Sequence, residues 1–95
     1  MSRKPLAASQ ISQNLADLPE WEIKEGKLHR SFKFADFIQA MSWMFSVAFE
    51  AEKLDHHPNW SNVWNKVDVV LWTHSASAIT ELDFALARKM EALAR

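Results

Sequence analysis

Over residues 36–54 apolar side chains recur every three or four positions: Phe37, Met41, Met44, Ala48 and Ala51, with Ile38, Phe45 and Phe49 widening the stripe. That period belongs to an amphipathic α-helix with a broad apolar side, and Pro58 marks a point by which it has ended. The segments on either side obey a different period, and this contrast constrains the fold more than any other feature. Before the helix, Trp21 and Ile23 alternate with Glu22 and Lys24, and Gly26 supplies a turn. Leu28, Phe32 and Phe34 then share one face in period two, with Arg30 as a polar interruption. After it, Trp60, Asn62 and Trp64 alternate with Ser61 and Val63, and Asn65-Lys66 can turn the chain. Val67, Val69, Leu71 and Thr73 line one face of the next strand, with Asp68, Val70, Trp72 and His74 on the other. Two hairpins flank one long helix.

Shorter helices complete the pattern. Residues 6–16 form one on Leu6, Ile11 and Leu15, ending before Pro19. Residues 75–78 read as a small-residue loop, and Thr80 is a good N-cap for a last helix along Leu82, Leu86, Lys89, Met90 and Leu93. The expected architecture is α+β in the order α-β-β-α-β-β-α. It has a four-stranded antiparallel sheet with helices packed on one face. The other face must meet solvent or a neighbouring subunit. The breadth of the 36–54 stripe gives that helix two jobs, packing on the sheet and meeting another subunit.

With 95 residues and no polar linker, residues 1–95 make a single domain. A chain of this size buries roughly 60–65% of its unfolded surface, so the core is modest. Five Trp and six Phe exceed what such a core needs, which points to a subunit interface or a stacking pocket. The absence of cysteine removes disulfides, thiol nucleophiles and cysteine–zinc sites, and suits a cytoplasmic protein. Met1-Ser2-Arg3-Lys4-Pro5 leads into no long apolar run, so no signal peptide is expected, and no stretch has the length of a membrane span. Eleven basic side chains balance twelve acidic ones, and Lys/Arg pairs occur only at Arg3-Lys4 and Arg88-Lys89. This argues against nucleic acid and favours a small, neutral ligand.

Three of the four histidines fall between positions 56 and 74: His56, His57 and His74. Histidine is the side chain whose ordinary pKa lies near neutrality, so such a set can give and take protons unaided. Pro58 restricts His57 to extended conformations, which turns its ring away from that of His56. A bland alternative stands beside this, since histidine at a helix C-terminus also meets the last carbonyls and the dipole. Glu52 lies four residues before His56 and can accept a hydrogen bond from it, or form an ordinary solvated pair. Asp83 has the spacing of a capping box with Thr80, which by itself would account for it. Metal binding is not expected, because Glu-x-x-x-His-His lacks the i,i+4 histidines of His-Glu-x-x-His, and adjacent histidines converge poorly on one ion. Trp60, Trp64 and Trp72 read as sheet core or interface, while Trp21 could face a pocket at the sheet end. The equipment is imidazole acid–base chemistry near a ring-lined pocket, suited to elimination, hydration or isomerisation of a small polar molecule.

The run Glu52-x-x-x-His56-His57-Pro58, then Trp64, His74 and Asp83, resembles the pterin-4a-carbinolamine dehydratase family. So do Phe32-Lys33-Phe34-x-Asp36-Phe37, Trp60-x-Asn62-Val63-Trp64-Asn65-Lys66-Val67 and Leu71-x-Thr73-His74. The likeness spans about residues 20–93. It implies a small α+β domain, assembled as a homodimer or homotetramer in which sheets continue across subunits and long helices pack together. The implied activity is dehydration of 4a-hydroxytetrahydrobiopterin to quinonoid dihydropterin, without a cofactor. In that role the enzyme recycles the pterin used by aromatic amino acid hydroxylases, a pathway partner. By resemblance, His57 is the principal acid–base residue, His56 and His74 bind the pterin and assist loss of the hydroxyl, and Glu52 is the supporting acid. Asp83 and Trp21 are carried over as substrate-binding.

Two departures stand out. Ala78 occupies a place where the family usually has glycine, which would strain a positive φ there. Trp64 replaces the usual tyrosine, keeping ring bulk and losing the hydroxyl. The resemblance also carries a second reading, a non-catalytic oligomerisation or regulatory partner built on the same fold. A third is pterin handling in molybdenum-cofactor metabolism.

Overall fold

The period-two segments pair as two antiparallel hairpins, β1 (Glu22–Lys24) with β2 (Lys27–Lys33) and β3 (Asn59–Val63) with β4 (Lys66–Leu71). The hairpins join through β2 and β4, from Leu28 opposite Leu71 to Lys33 opposite Lys66. The sheet order is therefore β1-β2-β4-β3. Three helices accompany it: α1 (Ala8–Leu15), α2 (Phe37–Leu54) and α3 (Glu81–Leu93). The computed structural model describes residues 1–95, and the expected element order and α+β class are found. No helix is long and apolar enough to cross a membrane.

The register sorts side chains between the two faces. Leu28, Phe32, Val67, Val69 and Leu71 point to the helices and are buried. His29, Ser31 and Asp68 belong to the other face. Arg30 falls on the covered face, and the fold resolves this by bringing Glu91 of α3 to it as an ion pair. The same carboxylate accepts from the Trp21 indole N–H at 2.9 Å, and the Arg30 guanidinium lies 4.0 Å from the centre of the Phe32 ring. A polar interruption in the strand pattern is thus the point where α3 is fastened to the sheet.

In α2 the buried stripe differs from the expected one. Ala40, Trp43, Val47 and Ala51 face inward, whereas Phe37, Ile38, Phe45 and Phe49 are exposed. Both sides of the helix are apolar, and periodicity alone does not say which side turns in. Packing decides it: alanines and a valine let the backbone approach closely, and Trp43 fills the remaining space. Its ring lies 4.4 Å from that of Phe32 and 6.0 Å from that of Trp60 between centroids. Its N–H donates to the Met90 carbonyl of α3 at 3.0 Å, so the one polar atom it buries is satisfied.

The turns also differ in detail. The first hairpin closes on Glu25 and Gly26, both with positive φ, the arrangement that suits the twist of two strands. The second closes one residue earlier than expected, with Trp64 left-handed at φ 51. Asn62 donates to the carbonyls of Trp64 and Lys66 at 3.1 and 2.9 Å, which holds that strained corner. Asn65 is buried and donates to the Phe34 carbonyl at 2.8 Å, tying the hairpin to the end of β2. The expected loop over residues 75–78 instead begins inside a single 3-10 turn, His74–Ala76. The left-handed residue there is Ser77, at φ 49, so Ala78 carries no such strain.

Glu91→Ala is expected to destabilise the domain by about 2 kcal/mol, because it strands the Arg30 guanidinium and the Trp21 N–H together. A lower urea midpoint with an unchanged slope would register that cost.

Candidate active site

Helix α2 ends on Asp55, which takes the left-handed conformation at φ 50. Its N–H reaches the Glu52 carbonyl at 3.1 Å, and the His56 N–H reaches the Ala51 carbonyl at 3.1 Å. This is the paired closure usually built on glycine, and aspartate is among the few other residues that tolerate it. Its consequence is that His56 and His57 no longer follow helical spacing, so the i,i+4 relation between Glu52 and His56 does not hold. Glu52 instead meets His57, Oε1 to Nε2 at 2.5 Å, at the surface. The chain reversal sends His56 the other way, into the protein.

His56 is buried against Asp83, Nε2 to Oδ1 at 2.5 Å. The other carboxylate oxygen accepts from the Thr80 N–H at 2.9 Å and from the Thr73 hydroxyl at 3.0 Å. Thr73 spends its single proton there, so the 2.6 Å contact between Thr73 and Thr80 hydroxyls has Thr80 donating. Thr80 in turn accepts from the Leu82 N–H at 3.3 Å. Both Asp83 oxygens and both threonine hydroxyls in this interior chain have partners. Asp83 is therefore both the N3 partner of Thr80 in the capping box of α3 and the support of His56. Because it accepts only, neutral His56 carries its proton on Nε2 and keeps a lone pair on Nδ1.

A cleft of about 250 Å³ opens beside this network. His56, His57 and His74 all line it, with Asp55, Thr73 and Ser75 between them. His74 sits at the start of the 3-10 turn after β4, not within the strand. Its ring stacks on Trp72 with centroids 4.2 Å apart and an angle of 26°. Its Nε2 meets the Asn59 amide nitrogen at 2.9 Å. No three acidic or histidine side chains converge as metal ligands would.

Family models match the chain over residues 4–93, to the description Pterin 4 alpha carbinolamine dehydratase. The chain belongs to the pterin-4a-carbinolamine dehydratase family. A relative from Chelativorans sp. (strain BNC1), provisionally named a pterin-4-alpha-carbinolamine dehydratase, is 49% identical over 99% of this chain and 98% of its own length. One of the same provisional name from Rhizorhabdus wittichii is 47% identical over 99% of each. The crystal structure of a transcriptional coactivator/pterin dehydratase from Brucella melitensis superposes with a TM-score of 0.93 at 46% identity, covering 97% of this chain and all of that one. A pterin dehydratase-like RuBisCO assembly factor of the alpha-carboxysome shares the fold, with a TM-score of 0.65 at 24% identity over 78% of this chain and 86% of its own.

Within the dehydratase-family fold, four of the six residues expected at the site gather at one corner: Glu52, His56, His57 and His74. Asp83 stands behind the cleft wall, fully buried, and reaches it through His56 and Thr73. Trp21 lies elsewhere. It is 5% exposed in the core, hydrogen-bonded to Glu91 and absent from the cleft walls, so within one chain it is a structural residue. Sequence reasoning misses Arg3 and Asn59 and assigns Trp72 to core or interface. Arg3 belongs to the segment before α1, which docks through the Leu6 N–H on the Ile79 carbonyl at 3.0 Å. Its guanidinium donates to the Asp55 carbonyl at 3.0 Å and closes one rim of the cleft. No periodicity marks such a segment. Asn59, immediately after Pro58, carried no signal beyond its nearness to the histidine pair.

Asp83→Ala is expected to cost about 3–5 kcal/mol in unfolding free energy, since it leaves His56, Thr73 and a backbone N–H unpaired in the interior. Chemical denaturation followed by tryptophan fluorescence measures it.

Proposed function

We propose that this chain is a dehydratase that converts pterin-4a-carbinolamine (4a-hydroxytetrahydrobiopterin) to quinonoid dihydropterin and water by histidine acid–base catalysis. One observation carries the reading: three imidazoles line one cleft, and each commits its Nε2 to a different partner, Asp83, Glu52 or Asn59. Rings held by one nitrogen leave the other for a ligand.

The reaction needs a proton on the 4a-oxygen, so that water and not hydroxide departs, and loss of the proton on ring N5, whose electron pair expels the leaving group. The C4a–O bond breaks as the C4a–N5 double bond forms, and no external reductant or oxidant takes part. His57 is the principal acid–base group. A carboxylate accepts at its Nε2, so neutral His57 offers a lone pair at Nδ1 and can return the proton from the same atom. Glu52 orients that ring and stabilises the imidazolium. His56 and His74 bind the pterin and assist departure of the hydroxyl, with Asp83 acting through His56. In a hydroxylase-dependent pathway, this step supports recycling of the pterin by giving a dihydropterin that a separate reduction returns to the tetrahydro form.

His57→Ala is expected to lower the enzymic rate of 4a-hydroxytetrahydropterin decay by about 10²–10⁴-fold, the usual worth of such assistance. Stopped-flow absorbance with wild type and variant decides it. Decay unaffected by either protein would reject the dehydratase reading.

A second reading, oligomerisation, is favoured by the outer side of α2, and it coexists with catalysis. Phe45 and Phe49 are each 69% exposed. Met41, Met44, Phe45, Ala48 and Trp60 line a wholly apolar depression of about 220 Å³. A monomer would leave this surface in water at a cost of about 25 cal/mol per Å². A homodimer or homotetramer joined through α2 removes it. Phe45→Glu with Phe49→Glu is expected to yield monomers by light scattering, with the histidine cleft intact within each chain.

A further inference from the structure

The two exposed imidazoles of the cleft are held by partners of opposite character. Glu52 can only accept, so it fixes the proton of neutral His57 on Nε2. Asn59 presents its amide N–H to Nε2 of His74 at 2.9 Å, which requires a lone pair on that atom and so places the proton on Nδ1. Free imidazole side chains prefer the Nε2–H form, so His74 is held in the less favoured tautomer. Trp72 fixes the plane of the ring by stacking at 4.2 Å, and with the plane set, Asn59 chooses which nitrogen is protonated. Trp72 is itself anchored, with the Lys27 ammonium 4.1 Å from its ring centre. Asn59 can do this because it is the first residue of β3 and pairs with Val70 in β4, two residues before Trp72.

Resting on the dehydratase reading above, we propose that Asn59 is a positioning residue that sets the tautomer of His74. His74 then meets the pterin as an Nδ1–H donor, while His57 meets it with an Nδ1 lone pair. Of the two exposed rings of the cleft, one is therefore poised to take a proton and the other presents one, even with both neutral. A donor beside the 4a-oxygen and an acceptor beside N5–H are what loss of water requires. Two rings in the same tautomer would have to exchange protons with solvent before each could play its part. Asn59 touches neither the reacting atoms nor His57, and acts only through His74.

Long-range ¹H–¹⁵N correlation spectra of the ¹⁵N-labelled protein, taken above the imidazole pKa range, report the tautomer of each ring without substrate. Wild type is expected to show His74 with its proton on Nδ1 and His57 with its proton on Nε2. In Asn59→Asp, whose carboxylate only accepts, and in Asn59→Ala, the His74 proton is expected to move to Nε2 while the His57 signals stay unchanged. Turnover of 4a-hydroxytetrahydropterin by Asn59→Asp is expected to fall about five- to tenfold in kcat, the worth of one hydrogen bond, with KM little altered. An Nε2–H His74 in wild type, or an Nδ1–H form that persists in both variants, would overturn the assignment. A switched tautomer with unaltered kcat would overturn its role in the reaction. The spectra read the ring whether or not the chain is a dehydratase, so failure here and failure of the proposed activity remain distinguishable.

Discussion

The carboxylate of Asp83, wholly buried, is the point on which the site and the helix beneath it both depend. Moving such a group out of water costs several kcal/mol unless donors replace the lost hydration. Here a backbone N–H, a threonine hydroxyl and an imidazole N–H replace it, drawn from the start of α3, the end of β4 and the corner after α2. The corner after α2, 27 residues away in sequence, is therefore held to the β4–α3 connection by one charge that neither can abandon. The same bonds cap a helix, close the loop after β4 and set the tautomer of His56. At this residue the capping contact and the support of His56 are made by one carboxylate.

The left-handed residue at Asp55 performs the second essential act. By ending α2 abruptly it splits two adjacent histidines, sending one inward to Asp83 and the other outward to Glu52. Adjacent side chains in a helix point about 100° apart and both would stay on its surface. A reversed corner gives one ring a buried setting against Asp83 and the other access to solvent. Arg3, which donates to the Asp55 carbonyl, fastens the same corner from the segment before α1.

Helix α2 shows how a single apolar element serves two surfaces. Its inward stripe is made of small residues around one tryptophan, and its outward stripe of phenylalanines and methionines. Close approach to the sheet needs the former, whereas a surface built to associate benefits from large, adaptable side chains.

Much was legible from residue order alone. The alternation from Trp21 and from Trp60, set against the three-to-four spacing over residues 36–54, determined the α+β class, the two hairpins and the order of elements, because these periods are properties of the backbone itself. The density of histidine, and its spacing to Glu52 and Asp83, determined where the chemistry would be sought and which family the chain resembles. What only the tertiary structure decided were the partners: Glu52 with His57 instead of His56, Asp83 behind His56, Asn59 on His74, and Trp21 in the core. Which stripe of α2 turned inward was decided there too. Local periodicity speaks of faces and boundaries, but a hydrogen-bond partner across 15 or 27 residues depends on how the faces dock. One left-handed residue at a helix end redirects every side chain that follows it.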